Sequence, residues 1–115
     1  MTEDEKKARI AELNDELRTH RSQRNGKIIV TGALIEDIHD GARMARILDA
    51  IRDFSDFNED NDPHGEHDYG RVTVDGEEFM FKFDYYALNE EHLSEHPEDP
   101  NATIRVMSVL YASDY

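Results

Sequence analysis

The chain has no cysteine, and no apolar run approaches the roughly 20 residues that span a bilayer. The first absence excludes a disulfide framework and any thiolate nucleophile, and fits a cytoplasmic setting. The second excludes a spanning helix. The acidic start, Met1-Thr2-Glu3-Asp4-Glu5, lacks the apolar centre of a signal peptide. There is no glycine-rich phosphate loop and no nucleophile elbow, and carboxylates are too numerous for any pair to stand out as acid and base. No metal-free enzymatic activity is expected on these grounds. Bases are scarce in one half only. Residues 1–52 hold ten acids and ten bases, whereas residues 53–115 hold seventeen acids and three bases, Arg71, Lys82 and Arg105. The whole formal charge of −14 therefore belongs to the second half. Such a surface is repelled by phosphate backbones and anionic lipid, so direct binding to nucleic acid or membrane is not expected.

At 115 residues the chain is long enough for one domain with a modest core. Ile10, Leu13 and Leu17 recur at steps of three and four, which predicts a helix over 4–22. Residues 1–24 are expected to form an N-terminal helix, partly detached, and 25–115 a single α+β domain. Self-association through Ile10, Leu13 and Leu17, giving a homodimer, is the alternative use of that helix. Asn25-Gly26 signals a turn, and Lys27 to Gly32 is short, β-branched and bounded by glycine, as strands are. Residues 33–39 fit either an extended strand or a helical turn. Asp40 suits the N-cap of a second helix running to Phe54, with Met44, Ile47, Leu48, Ile51 and Phe54 as its apolar stripe.

Residues 55–68 lack periodicity and contain Pro63 and Gly65, so they form a loop longer than most internal connections. Arg71–Val74, Asp75-Gly76 and Glu77–Tyr86 spell a hairpin with a tight primed turn. Phe79, Phe81, Phe83 and Tyr85 alternate onto one of its faces. Thr103–Tyr111 is a further strand, apolar on both faces and therefore central or covered. Residues 89–101 are acidic, with room for a helical turn at 89–95. The expected fold is α+β, an antiparallel sheet of three to four strands with two helices packed on one face.

Three groups of residues could carry chemistry. His64, Glu66, His67 and Asp68 offer two imidazoles and two carboxylates of the kinds zinc, manganese or iron accept, though in no established spacing. A metal-binding module or metal-dependent enzyme centred on these residues, with a divalent metal as its cofactor, is the alternative function they suggest. Otherwise the segment is an acidic loop fixed by local bonds from Asn and Asp side chains. Asp56, Asn58 and Asp60 resemble the opening of a calcium loop, but Asn61 stands where glycine is needed and His67 where glutamate is needed. His92 and His96 share a face only if helical, and Pro97 ends that helix at once.

The remaining feature is the acidic surface itself. Dispersed carboxylates can present a nucleic-acid-binding site with a field like that of its own ligand, steering association in a salt-dependent way. The expected binding residues are Asp56, Glu59, Asp60, Asp62, Glu66 and Asp68 in the loop, Glu90, Glu91 and Glu95 beyond it, and Phe57 and Tyr69 as apolar anchors. The expected partner is a basic nucleic-acid-binding protein or complex.

At 54–70 the string Phe54-x-x-Phe57-x-x-x-Asn61-Asp62-Pro63-x-x-Glu66-His67-Asp68-Tyr69-Gly70 resembles a family of small bacterial proteins known only as a domain of unknown function. Lys82-Phe83-Asp84-Tyr85-Tyr86, Pro97-Glu98-Asp99-Pro100 and Thr103-x-Arg105-Val106 are similar to it as well, with Phe81 where that family often has tryptophan. The resemblance covers about residues 25–115. It carries no activity, but its setting on mobile elements implies an anti-defence role in a bacterial host cytoplasm, as an anti-CRISPR or antirestriction protein.

Overall fold

The computed structural model describes all 115 residues. Its elements run α1 (Glu3–His20), β1 (Gly26–Val30), a 3₁₀ helix η1 (Gly32–Asp37), α2 (Gly41–Asp53), β2 (Tyr69–Val74), β3 (Glu77–Tyr86), β4 (Ile104–Tyr111) and a short η2 (Ala112–Asp114). The fold is α+β, with one four-stranded sheet ordered β1-β4-β3-β2. Three strands are antiparallel, as the sequence predicts, but β1 pairs parallel to β4 at the edge. The sheet is thus mostly antiparallel and mixed.

Local chemistry explains the boundaries. Thr2 and Glu5 form a reciprocal capping box that starts α1. Asp40 caps α2 by accepting from the Arg43 N–H, as expected. Gly32, at φ +65°, ends β1 and turns residues 32–37 into the 3₁₀ helix, which resolves the ambiguous stretch. Asp75 and Gly76 both take positive φ, as a primed hairpin turn requires. Residues 89–95 form no helix. Leu93 instead bridges Tyr86, and Ser94 N–H donates to Tyr85 O.

Register places Phe79, Phe81 and Phe83 of β3 opposite Tyr111, Val109 and Met107 of β4 on one face. Leu17 from α1, Leu34 from η1 and Ile47 and Ile51 from α2 close over that face. Each such fully buried side chain contributes about 1.5–3 kcal/mol. β4 is central and buried along six consecutive residues. The expectation of a partly detached N-terminal helix is corrected: Ile10, Leu13 and Leu17 are 5%, 2% and 1% exposed. The stripe that could have joined two copies packs inside its own chain, because the sheet face needs a second helix to cover it.

Candidate functional site

The starts of β1, β2 and β4 and the end of β3 lie at one end of the sheet. The two acidic segments, 54–68 and 87–103, both connect there. Together they carry eleven carboxylates and no lysine or arginine. One buried polar network holds both segments to α1 and the sheet.

Asn14 is its hub, fully buried on α1. The Asn14 amide donates to Glu66 O at 3.0 Å and to the Tyr85 hydroxyl at 2.8 Å. The Asn14 carbonyl oxygen accepts from Arg105 Nε at 2.7 Å. Tyr85 donates to Glu66 Oε1 at 3.0 Å, and Arg105 Nη2 donates to Pro97 O. The Arg105 guanidinium also lies 5.2 Å from the Tyr85 ring centroid. One chain of bonds therefore runs from Glu66 in the first acidic segment to Pro97 in the second. Burial pushes the Glu66 and Asp68 carboxyls up, helped by the charges of Asp68 and Asp62 at Glu66 and of Asp62 and Asp84 at Asp68, while Tyr85 donates to Glu66 and opposes the rise there. Burial pushes the Tyr85 phenol up and the Arg105 guanidinium down.

A second set of contacts shapes the loop. Asn58 Oδ1 accepts from the N–H groups of Asp60 and Asn61, and Asn61 donates to Asp56 O at 2.7 Å. Asp62, 8% exposed, accepts the backbone N–H groups of Glu66 and His67 at 3.1 Å each. His67, held at φ +54°, stacks flat on Phe57 with centroids 4.0 Å apart and meets Asp15 through Nδ1 at 3.0 Å. Asp15 also pairs with Arg18 at 2.9 Å. Arg18 donates to Ile51 O, Arg52 O and Phe54 O, satisfying the carbonyls at the end of α2. The loop is thus built by side-chain-to-backbone bonds, as Asn and Asp in this spacing favour.

The expected binding residues therefore divide. Asp56, Glu59, Asp60, Glu90, Glu91 and Glu95 are exposed. All but Glu90, which pairs with Lys27, stand outside every ion pair. Asp62 is buried and closes the turn, whereas Glu66 and Asp68 are half-buried. Phe57 is also turned inward, against Phe54, His67 and the Arg18 guanidinium, and is not a free anchor. Tyr69 is half-buried at the start of β2. No three His, Asp or Glu side chains gather in a metal-holding group. Within the expected metal set, Glu66 turns to Tyr85, His67 turns to Asp15, and His64 is exposed.

Sequence reasoning missed Asn14, Asp15, Arg18 and Arg105. The signal was present as polar residues at apolar positions. Asn14 lies within the Ile10-Leu13-Leu17 stripe, and Arg105 shares the strand parity of Met107, Val109 and Tyr111.

The geometry defines a small α+β domain with an acidic, internally braced pole. Residues 30–114 match the family described as Protein of unknown function (DUF3768), and the chain belongs to that family. No curated protein and no solved structure matches it. No helix is long and apolar enough to cross a membrane.

Proposed function

We propose that the protein is a non-enzymatic inhibitor that docks its acidic pole into the basic site of a nucleic-acid-binding protein. The observation that carries this reading is the joint clamping of both acidic segments by the Glu66–Tyr85–Asn14–Arg105–Pro97 network. Carboxylates meant only for solubility need no fixed geometry. Here Asp56, Glu59 and Asp60 ride on a turn locked at Asn58, Asn61 and Asp62, and no internal cation neutralises them. A pre-ordered array avoids ordering costs on binding, and its field speeds association. An anti-defence setting, as an anti-CRISPR or antirestriction protein acting in a bacterial cytoplasm, follows from the family resemblance and from the fit between this charge and a nucleic-acid groove.

The test is capture of partners from a host with active CRISPR and restriction systems, at low and high salt. Capture should fall steeply with salt. The variant Asp56→Asn, Glu59→Gln, Asp60→Asn, Glu91→Gln, Glu95→Gln should lose it while melting like the parent. Equal capture by that variant would sink the proposal.

A further inference from the structure

Beyond the acidic pole, the opposite character is concentrated at the free edge of β1. Residues 17–35 contain no acid, the longest such stretch in the chain, and β1 lies within it. β1 is an edge strand paired only with β4. Asn25 O accepts from Arg105 N–H, and Thr31 N–H donates to Val109 O. In a parallel ladder alternate residues face the neighbour. The backbone groups of residues 25, 27, 29 and 31 therefore face β4, and those of Ile28 and Val30 face outward without a strand partner.

The surface beside this edge is apolar on the core side, and on the other side Ile29 lies beside the Lys27–Glu90 ion pair. A groove of about 370 Å³ opens along it, lined by Ile28, Val30, Ile38, Met44 and Leu48 over the floor of Ile47 and Val109, with Arg21 as its one charged member. Ile29, on the other side of the sheet, and Ile38 are 40% and 44% exposed. Unpaired edges of this kind are templates for strand addition. The second edge, β2, lacks these features: it presents Arg71 and Thr73, and the acids Glu77 and Glu78 stand opposite in the next strand.

We infer that the β1 edge joins two copies of this chain, antiparallel across a two-fold axis near Ile28. Charge names the occupant. Two chains of −14 repel unless their acids are kept apart. The acidic pole lies at the end where β1 begins, so antiparallel pairing sends the two poles to opposite ends of an eight-stranded sheet. With Ile28 facing its own copy, Val30 meets Gly26 of the second copy, and Lys27 meets Ile29 rather than another lysine. Gly26 N–H already donates to Gln23 O, which leaves Ile28 and Val30 as the donors. The same register runs Arg24 alongside η1 of the second copy, near Glu36. Both are exposed, and neither belongs to an ion pair of its own chain. The complementary contact occurs twice by symmetry.

Sedimentation equilibrium of the full chain over a wide concentration range tests this. The mass should rise to twice the 13.3 kDa of one chain. Association should strengthen in about 1 M NaCl, where the Debye length is only about 3 Å and pole repulsion is screened. Amide exchange at Ile28 and Val30 should slow as the dimer forms. Val30→Pro removes one outward N–H while leaving the bonds to β4, a position where an edge tolerates proline, and should weaken the dimer tenfold or more. If Val30→Pro does not fold, Ile38→Asp, on an exposed side chain, should weaken it likewise. A single 13.3 kDa species at every concentration overturns the inference. So does an unchanged affinity in the folded variant, or protection that appears elsewhere but not at Ile28 and Val30.

Discussion

Arg105 Nε donates to Asn14 Oδ1 at 2.7 Å, joining the first helix to the central strand across 91 positions of sequence. Both side chains are fully buried, and no carboxylate lies within ion-pairing reach of the guanidinium. A buried cation is therefore satisfied by neutral oxygens, Asn14 Oδ1 and Pro97 O, and by the face of Tyr85. Its Nη1 has no partner at all. The bond to Asn14 consequently matters more than a neutral hydrogen bond elsewhere.

Replacing Asn14 by Leu should cost about 2–4 kcal/mol, because it strands a buried charge together with Glu66 O and the Tyr85 hydroxyl. Asn14→Asp should not rescue it, since a carboxylate cannot donate to those two oxygens. Removing the cation as well, in Asn14→Leu with Arg105→Met, should cost less than the two single changes added together. Urea unfolding of the four chains measures the coupling. Simple additivity would mean that the two residues do not act as a unit.

Gly70 offers an independent check on the packing behind the acidic loop. A Cβ at that position would stand 2.5 Å from Phe81 Cε1 and 2.8 Å from Phe54 Cε1. Gly70 also lies directly opposite Phe81 in the β2–β3 ladder. Gly70→Ala should therefore destabilise by about 1–3 kcal/mol through overpacking. Phe81→Leu in the same background should recover part of that loss, and thermal melts of both variants would show it. A Gly70→Ala protein that melts like the parent would contradict the close approach.

These two sites also mark how far the sequence was legible. Period and turn chemistry are local, so α2 with its Asp40 cap, the Asp75-Gly76 hairpin and the central character of β4 could all be read directly. The parallel pairing of β1 could not, because nothing within Lys27–Val30 encodes which strand it meets or in which direction. The position of the acidic loop was readable, as was its reliance on Asn and Asp. Its inward-facing members were not. Asp62 and Asp60 look alike in a charge count, yet Asp62 closes a turn from a buried position and Asp60 faces water. Asn14 and Arg105 acquire meaning only when the fold brings them together.

The response to pH should follow from Glu66 and Asp68. Burial holds both carboxyls above their ordinary values in the folded chain, and neighbouring carboxylates add to the effect. At a pH between the ordinary and the raised values, the folded state binds more protons than the unfolded state. Stability then falls as pH rises through that window and is fully restored below the ordinary carboxyl value. Acidification from pH 7 should therefore raise the melting temperature until the pH nears the ordinary carboxyl range of about 4. Below that range, Asp53, whose carboxyl is held low chiefly by its bond from Arg52, acts in the opposite sense. Relief of the general repulsion within a −14 chain acts in the same direction as Glu66 and Asp68, so the parent curve alone does not isolate them. The variant Glu66→Gln, Asp68→Asn does. The amide oxygen that Glu66→Gln introduces can still accept from Tyr85, so the network persists while both titrations vanish. The variant's melting temperature should be higher than the parent's at pH 7 and should climb less on acidification. A variant slope equal to that of the parent would show that these two carboxyls do not set the pH response.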